Sequence, residues 1–306
     1  MTTAVMVIAH GTVDTLDELP GFLANIRRGH PAPPELLAEV RRRYEAIGGR
    51  SPLNAICRAV AAKLEARTGV PTRMAMRLWH PYPGEVLEEL AGLGVTRVVV
   101  MPLAQHSAKI YADAVTLAAR ELGANVEVVS VPNWGQTPAL IDAYAARVRS
   151  TLLEVPAEGL ARTTLILTAH SLPLAIVRAG DPYEGEVRAS ASAILAALGG
   201  TARRCHHEVV FQSQGMSQGP GGRPMEWLGP DLKSAIEAAA ARGDTAVVVA
   251  PIGFLADHVE ILYDLDIEAC AWAAARGLRL LRTPSLNASD GLVDVLAGLV
   301  RPLLVG

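Results

Sequence analysis

The alternation of apolar and polar segments along the chain predicts strands that alternate with helices. Short runs rich in β-branched residues occupy positions 5–10, 95–101, 164–170 and 246–249. Segments with apolar residues at helical spacing are found at positions 34–47, 53–67, 84–93, 138–153, 186–198, 232–242 and 261–275. This order is typical of βαβ units around a parallel sheet.

The same set of motifs occurs twice in the sequence. The strands at 5–10 (VMVIAH) and 164–170 (TLILTAH) both end in Ala-His, and a VVVxP run follows later in each half, at 98–102 and 247–251. The repetition indicates an internal duplication. We therefore predict an α/β fold of two similar doubly wound domains, each a parallel sheet flanked by helices, with a cleft between them.

The predicted domains cover residues 1–155 and 156–306. In the first domain, residues 12–34 contain several prolines and are too irregular for a simple connection between a strand and a helix. We expect this segment to form a lip over the end of the first strand. In the second domain, residues 212–223 are rich in Gly, Gln and Ser, which is typical of a flexible loop.

Composition narrows the class of protein. The net charge of −3 lacks the basic surplus typical of nucleic-acid-binding proteins, and no apolar run reaches the roughly 18 residues of a membrane span. The first residues carry no basic segment of the kind that opens a signal peptide, so we expect a cytoplasmic protein. Cys57, Cys205 and Cys270 are far apart in the sequence and support neither a disulfide framework nor a four-thiolate cluster. Any metal chemistry must then use histidines and carboxylates.

Residues 251–268 (PIGFLADHVEILYDLDIE) contain the most informative candidate residues. Glu260 follows the strand at 246–249, at the edge where open α/β sheets place their ligands. Asp264 and Glu268 recur at intervals of four residues, so on a helix they form one acidic line with Glu260. Such a line suits the removal of protons and the handling of cations, although a solvated helix face is an equally good interpretation of this segment alone.

Histidines recur at the predicted strand ends. His10 and His170 end the two duplicated strands, and His80 and His106 lie close to the ends of other apolar segments. Imidazole is well suited to act as a base or a metal ligand near neutral pH. For each histidine alone, a buried and hydrogen-bonded core residue is the more common situation, but four of them at related strand ends favour a shared site.

A second group of residues is suited to binding anions. Arg27 and Arg28 in the lip could pair with ligand carboxylates. Ser51 lies where a glycine-rich turn leads into a helix, whose free N–H groups attract anions. Solubility is an equally good explanation for the two arginines. The sequence has neither GxGxxG after its first strand nor GxxxxGKS/T, so nucleotide binding has no support.

Together these features resemble the ferrochelatase family over nearly the whole chain. The matching stretches are 44–53 (YEAIGGRSPL), 169–173 (AHSLP), 180–183 (GDPY), 227–230 (WLGP) and 251–268. The resemblance implies two Rossmann-like, chelatase-type domains and the insertion of ferrous iron into a porphyrin, a lyase reaction of haem biosynthesis that forms metal–nitrogen bonds. It implies His170 and Glu260 as catalytic and metal-binding residues. Asp264 and Glu268 would form a path for protons or metal, on a helix widened by a π-turn.

Residues 25–37 (NIRRGHPAPPELL) resemble the short ferrochelatases that use coproporphyrin III. The four propionates of that substrate suit Arg27, Arg28 and Ser51 as anchors. The resemblance implies ferrous iron as a substrate and no tightly bound cofactor. No iron–sulfur cluster is expected, because the cysteine-bearing extension of the animal protoporphyrin enzymes is not found in this sequence. We expect a monomer without a membrane span, and peripheral contact with a membrane stays open.

Three alternatives stay open. The nearest is a ferrochelatase that uses protoporphyrin IX. The second is a cobalt or nickel chelatase for another tetrapyrrole. The reason is His10: relatives have Tyr or Asn at this position, and a histidine there resembles the smaller cobalt and nickel chelatases. For the coproporphyrin III ferrochelatase we expect His10 and His80 among the substrate-binding residues, and His106 is a further possible ring or metal contact. The third is a carrier that binds iron or haem without inserting the metal, and replacement of Glu260 would separate it from an enzyme.

Overall fold

The computed structural model describes residues 2–215 and 225–304, so most of the loop predicted at 212–223 lies outside the described residues. The strands are β1 (Thr3–Ala9), β2 (Thr72–Met76), β3 (Arg97–Pro102), β4 (Glu127–Ser130), β5 (Thr163–His170), β6 (His206–Gln212), β7 (Ala246–Ala250) and β8 (Arg279–Arg282). The α-helices are α1 (Leu19–Ile26), α2 (Pro34–Ala46), α3 (Leu53–Thr68), α4 (Pro83–Gly92), α5 (Ala108–Glu121), α6 (Pro138–Leu152), α7 (Leu174–Arg178), α8 (Tyr183–Leu198), α9 (Leu232–Ala241), α10 (Cys270–Ala274) and α11 (Asp290–Leu304). A π-helix spans Ile261–Ala269, and 3-10 helices span Leu16–Glu18, Ala157–Arg162 and Ala202–Arg204.

The chain divides into two compact units. The first unit comprises Met1–Trp134, Leu255–Val259 and Asn287–Gly306, and the second comprises Gly135–Phe254 and Glu260–Leu286. This division differs from the predicted boundary at residue 155, because α6 lies in the second unit and α11 in the first. The reason is packing: α6 contacts α8 and β7, whereas α11 contacts α3, β1 and β3.

The first unit contains a parallel sheet with the strand order β2-β1-β3-β4. Alternate residues of each strand point to opposite faces of the sheet. Met6 and Ile8 of β1 pack on one face with Val98 of β3 and with Leu87 and Leu90 of α4. Helices α3 and α11 contact strands of the same sheet, so helices flank it on both sides.

The second unit repeats this plan with the order β6-β5-β7-β8, again entirely parallel. Ile166 of β5 and Val247 of β7 pack against Ile236 of α9 and against Ile261 and Leu265 of the π-helix. The two duplicated strands, β1, which ends directly before His10, and β5, which ends at His170, are both central strands of their sheets. The predicted fold class of two α/β halves with parallel sheets is thereby confirmed.

The predicted lip is more regular than its prolines suggested. Residues 12–34 include the 3-10 helix Leu16–Glu18 and the helix α1. Leu19 and Phe22 of this segment pack with Val13 and Tyr44 in a small apolar cluster of the first unit. The lip is therefore a packed helical segment. None of the helices in the described ranges is both long and apolar enough to cross a membrane.

Truncation of a buried leucine on α11 should destabilise the first unit. Leu296 is fully buried, so Leu296→Ala leaves a cavity and should lower the free energy of unfolding by about 2–5 kcal/mol. Leu117 on α5 of the same unit is 56% exposed and provides the matched control. Leu117→Ala should change that free energy by less than about 0.5 kcal/mol. Urea unfolding followed by circular dichroism measures both, and equal effects would contradict the packing of α11 in this core.

Candidate active site

The candidate catalytic histidine lies at the carboxyl end of a central strand of the second unit. His170 is the last residue of β5 and pairs with Gln212 of β6. The Tyr183 hydroxyl donates a 2.9 Å hydrogen bond to the His170 carbonyl oxygen. Phe254 meets the imidazole edge to face, with 6.4 Å between the ring centroids. These contacts hold the backbone and the ring of His170 in place.

Glu260 is the ion-pair partner of His170. Its Oε2 lies 3.2 Å from the His170 Nδ1, and 37% and 36% of the two side-chain surfaces are exposed. Desolvation lowers the pKa of His170, but the charge and hydrogen bond of Glu260, joined by the charge of Asp264, outweigh it, so this pKa is raised. The imidazole therefore holds a proton more readily than it would in water, while the pair stays accessible to solvent.

The acidic residues that were predicted to form one line lie along the π-helix. Glu260 directly precedes this helix, and Asp264 and Glu268 lie within it. The π-turn that the resemblance implied is thereby confirmed, and π-turns occur mostly at functional sites. Asp264 is buried and accepts a 2.5 Å hydrogen bond at Oδ2 from the Ser213 hydroxyl, whereas Glu268 is half-buried.

A glycine allows the segment after β7 to approach β5. The Gly253 N–H donates a 3.0 Å hydrogen bond to the Thr168 carbonyl oxygen. A Cβ at position 253 would lie 2.4 Å from the Ala169 Cβ and 2.7 Å from its Cα, which is closer than side chains pack. Any larger residue at position 253 must move this segment away from the strand that ends at His170.

His10 occupies the corresponding strand end in the first unit. It directly follows β1, is exposed, and accepts a 3.0 Å hydrogen bond at its carbonyl oxygen from the Leu78 N–H. Gly11 has a φ of 97°, and a Cβ there would meet the Met76 Cβ at 3.0 Å and the Trp79 nitrogen at 3.1 Å. Only glycine fits this position, which lets the segment after β2 pack against the end of β1.

His80 lies on this segment after β2, and its ring is held by neighbouring side chains. The Glu85 Oε1 is 2.8 Å from the His80 Nδ1, while its Oε2 accepts a 2.6 Å hydrogen bond from the Tyr82 N–H. The rings of Trp79 and Tyr82 meet the imidazole edge-on, at centroid distances of 5.4 and 4.4 Å. With 59% of its side chain exposed, His80 is an oriented imidazole that a ligand can reach.

The predicted anion-binding residues have different surroundings. Arg28 is exposed beyond the end of α1, and the Arg27 Nε donates a 3.2 Å hydrogen bond to the Pro31 carbonyl oxygen. Ser51 is buried, and its Oγ accepts a 3.4 Å hydrogen bond from the Leu53 N–H at the start of α3. The arginines therefore lie at the surface of the first unit, whereas Ser51 stabilises the start of a helix.

His106 differs from the other strand-end histidines. It is buried, and burial lowers its pKa to about 4. The Asn133 side chain donates a 3.3 Å hydrogen bond to the His106 carbonyl oxygen. His106 is therefore a neutral core histidine near pH 7, which is the more common situation for a lone histidine in an apolar segment.

Among the described residues of the second unit, His170 and Glu260 form a pair of side chains that could meet a metal. Within residues 2–215 and 225–304, no three His, Cys, Asp or Glu side chains are grouped so as to hold a metal ion. One imidazole nitrogen and one carboxylate are both donors that suit divalent iron. The pair can thus present a metal ion or accept protons, at an accessible strand end.

Comparison with known proteins establishes the family to which the chain belongs. A ferrochelatase family model matches residues 2–304. The chain belongs to the ferrochelatase family. Similar ferrochelatases come from Herpetosiphon aurantiacus, 33% identical over 97% of this chain and 98% of the relative, and from Thermus thermophilus, 36% identical with the same shares covered. The coproporphyrin III ferrochelatase of Geobacillus kaustophilus is 34% identical over 98% of this chain and 95% of its own.

A solved chelatase structure shares the fold of this ferrochelatase. SirB from Bacillus subtilis with Fe3+ aligns with a TM-score of 0.61 at 13% identity, over 100% of this chain and 96% of its own. At that identity the similarity concerns the fold alone. It supports the fold of two α/β halves with parallel sheets that the repeated motifs predicted.

Sequence reasoning missed three residues that contact the candidate site residues His170 and Asp264. Tyr183 and Phe254 lie inside matched motifs, at 180–183 and 251–268, so those motifs contained a signal for them. Ser213 had no such signal, because a serine beside a glycine-rich segment is ordinary. Its contact with Asp264 became visible only in three dimensions.

Enlarging Gly253 should disturb the site through the backbone. Gly253→Ala places a methyl group against Ala169, and overpacking of this kind should lower the free energy of unfolding by about 1–3 kcal/mol. Gly185→Ala is the matched control, since nothing lies within 4 Å of a Cβ at that position of α8. The control should be neutral or slightly stabilising. Thermal unfolding and the near-ultraviolet circular dichroism of both variants measure this, and a harmless Gly253→Ala would contradict the close approach.

Replacing Glu260 by Gln should lower the pKa of His170, because the charge is removed while desolvation stays. In the native protein this folded pKa exceeds the unfolded value of about 6.5. The stability from the pair is therefore fully present below about pH 6.5 and is lost as the pH rises through the folded pKa.

A histidine NMR titration of both proteins measures the change. Glu237→Gln serves as the control, since that carboxylate pairs with Arg276 instead. An unchanged or higher pKa of His170 in Glu260→Gln would show that the 3.2 Å contact does not control the imidazole.

Proposed function

We propose that this ferrochelatase inserts ferrous iron into coproporphyrin III, with His170 and Glu260 as the reacting pair. Iron insertion into a porphyrin is the reaction of its family. The observation that carries the residue assignment is the 3.2 Å contact of His170 Nδ1 with Glu260 Oε2 at the exposed end of β5. Strand ends of this kind are where open α/β sheets bind their ligands.

The chemistry requires a base that also tolerates a cation. Insertion exchanges two pyrrole protons for one Fe2+, so one metal–porphyrin and two protons are formed from one porphyrin and one ion. His170 can accept the two pyrrole protons one after the other, if the first passes to the carboxylate of Glu260, which also stabilises the imidazolium, before the second is taken up. A protonated imidazole no longer binds a metal, so His170 presents iron first and accepts a proton only after the iron has left.

Asp264 and Glu268 continue the path away from the reacting pair. Asp264 is buried and its charge contributes to the raised pKa of His170, and Glu268 is half-buried further along the π-helix. We assign them to the transfer of protons or metal between the pair and solvent. The four-residue spacing that starts at Glu260 supports this assignment, since it keeps these carboxylates on one side of the helix.

The choice of coproporphyrin III rests on relatives and on surface charge. Relatives named coproporphyrin III ferrochelatase, from Geobacillus kaustophilus and Mycobacterium marinum, are 34% and 32% identical to this chain. Arg27 and Arg28 at the surface of the first unit suit propionate groups. His80 and His10 are proposed as further substrate contacts. Ser51 belongs to the same proposal only through the backbone of the helix start that it supports, because its side chain is buried.

Ferrous iron and porphyrin are the substrates of this family. The remaining partner and cofactor assignments stay predictions: no tightly bound cofactor, no iron–sulfur cluster, a monomer, and a cytoplasmic location. The pair of His170 and Glu260 argues against the alternative of a carrier, since a carrier needs no base beside its metal ligand.

The proposal is tested by anaerobic insertion assays. Purified protein receives Fe2+ with coproporphyrin III or protoporphyrin IX, and the visible spectrum reports the metalloporphyrin. We expect faster insertion into coproporphyrin III, and a loss of at least about 100-fold in kcat for His170→Ala and for Glu260→Gln, with porphyrin binding retained. A preference for protoporphyrin IX would overturn the substrate assignment. Normal turnover by Glu260→Gln would overturn the role of the pair, and insertion of cobalt or nickel in preference to iron would overturn the metal.

Arginine variants examine the substrate assignment separately. Arg27→Ala and Arg28→Ala should each raise KM for coproporphyrin III by about 10-fold and leave kcat nearly unchanged, because each removes one charge-assisted contact. Arg120→Ala, at an exposed position of α5, is the control for charge alone. If all three variants raise KM equally, Arg27 and Arg28 do not bind propionates specifically.

A further inference from the structure

A chain of hydrogen bonds links β5 to the π-helix within the second unit. The Thr168 hydroxyl donates to the Gln212 Oε1 at 2.8 Å, and the Gln212 Nε2 donates to the Ser213 Oγ at 3.4 Å. The Ser213 hydroxyl in turn donates to the Asp264 Oδ2 at 2.5 Å. Thr168, Gln212 and Asp264 are all buried. Buried polar groups joined in this way fix one another's positions.

The donors all point in one direction along this chain. The Thr168 hydroxyl gives its single proton to the amide oxygen of Gln212, so the amide nitrogen faces Ser213. Ser213 accepts there and uses its own proton toward Asp264. An ionised carboxylate can only accept hydrogen bonds, so the chain ends on a group that matches it. The network therefore holds the Asp264 side chain in one fixed orientation.

Ser213 has an unusual backbone conformation at the centre of this chain. Its φ is 59°, in the left-handed region that residues with a Cβ rarely adopt. Such a conformation persists only where the surroundings hold it, and it often marks functional sites. Gln212 is the last residue of β6, so the turn at Ser213 directs the hydroxyl from the strand end to the π-helix.

We propose that Ser213 is a positioning residue of iron insertion, which holds the Asp264 side chain in one orientation on the π-helix that follows Glu260. Its hydroxyl bonds to Asp264, which lies four residues after Glu260. Gln212 and Thr168 keep the Ser213 hydroxyl pointing toward Asp264. The inference rests on the proposed function, since Asp264 affects turnover only if the pair of His170 and Glu260 carries the reaction.

A double-mutant cycle tests this positioning role. Ser213→Ala removes the hydroxyl and should lower kcat for iron insertion into coproporphyrin III by about 10-fold. The KM for the porphyrin should change by less than about two-fold, because Ser213 does not bind substrate. In an Asp264→Ala background the same substitution should have no further effect, since residues that act through each other are not additive. Effects that multiply, or a wild-type kcat for Ser213→Ala, would overturn the proposal.

Two further variants separate the hydroxyl from folding. Ser190→Ala is the matched control, because it removes a serine hydroxyl of the second unit that is buried and donates to the Gly135 carbonyl oxygen at 3.0 Å. Its kcat should stay within about two-fold of the wild type. Ser213→Gly relieves the left-handed backbone but also lacks the hydroxyl, and it should lose activity like Ser213→Ala. Full activity of Ser213→Gly would show that the hydroxyl is dispensable.

Urea unfolding without substrate is measured for the wild type, Ser213→Ala, Asp264→Ala and the double variant. It distinguishes a failure of the proposed function from a failure of the positioning role of Ser213. Non-additive changes in the unfolding midpoint are expected, because Ser213 and Asp264 are in contact. If Asp264→Ala turns over normally, the assignment of Asp264 in the proposed function fails, and this inference fails with it. If Asp264→Ala loses activity but shows no coupling to Ser213 in unfolding or in kcat, only the positioning role of Ser213 is refuted.

Discussion

The site depends on how closely Gly253 lies against Ala169. Without a Cβ at position 253, the segment after β7 hydrogen-bonds to Thr168 and continues beside the end of β5. The next residue, Phe254, places its ring edge to face with the His170 imidazole, and six residues further on Glu260 lies 3.2 Å from the His170 Nδ1. A close backbone contact thus lies beside the candidate pair.

Electrostatics then decides which histidines can carry chemistry. His106 and His170 both follow apolar strands, and desolvation lowers the pKa of each. At His106 it brings the pKa to about 4, whereas at His170 the charges of Glu260 and Asp264 reverse the direction. The same residue type is therefore a neutral core residue in one unit, whereas in the other it has a raised pKa beside a carboxylate.

Much of the fold could be predicted from the sequence, and the failures have physical causes. Helices α2 and α3 end within one residue of the predicted positions, because their apolar spacing is regular and glycines follow them. None of the four edge strands, β2, β4, β6 and β8, was among the predicted strands. For β4 and β8 the reason is that each is four residues long and no residue of either is buried. The division at residue 155 differed from the observed units because an amphipathic helix does not reveal which sheet it will cover.

The sequence by itself determined the duplicated plan and the histidines at strand ends, and its family motifs predicted the pair of His170 and Glu260. These features depend on local patterns, which are read along the chain. Only the tertiary structure decided that the two side chains meet, that Ser51 and His106 are buried, and that Ser213 turns toward Asp264. Burial and contact join residues far apart in the chain, so packing, and not local pattern, sets them.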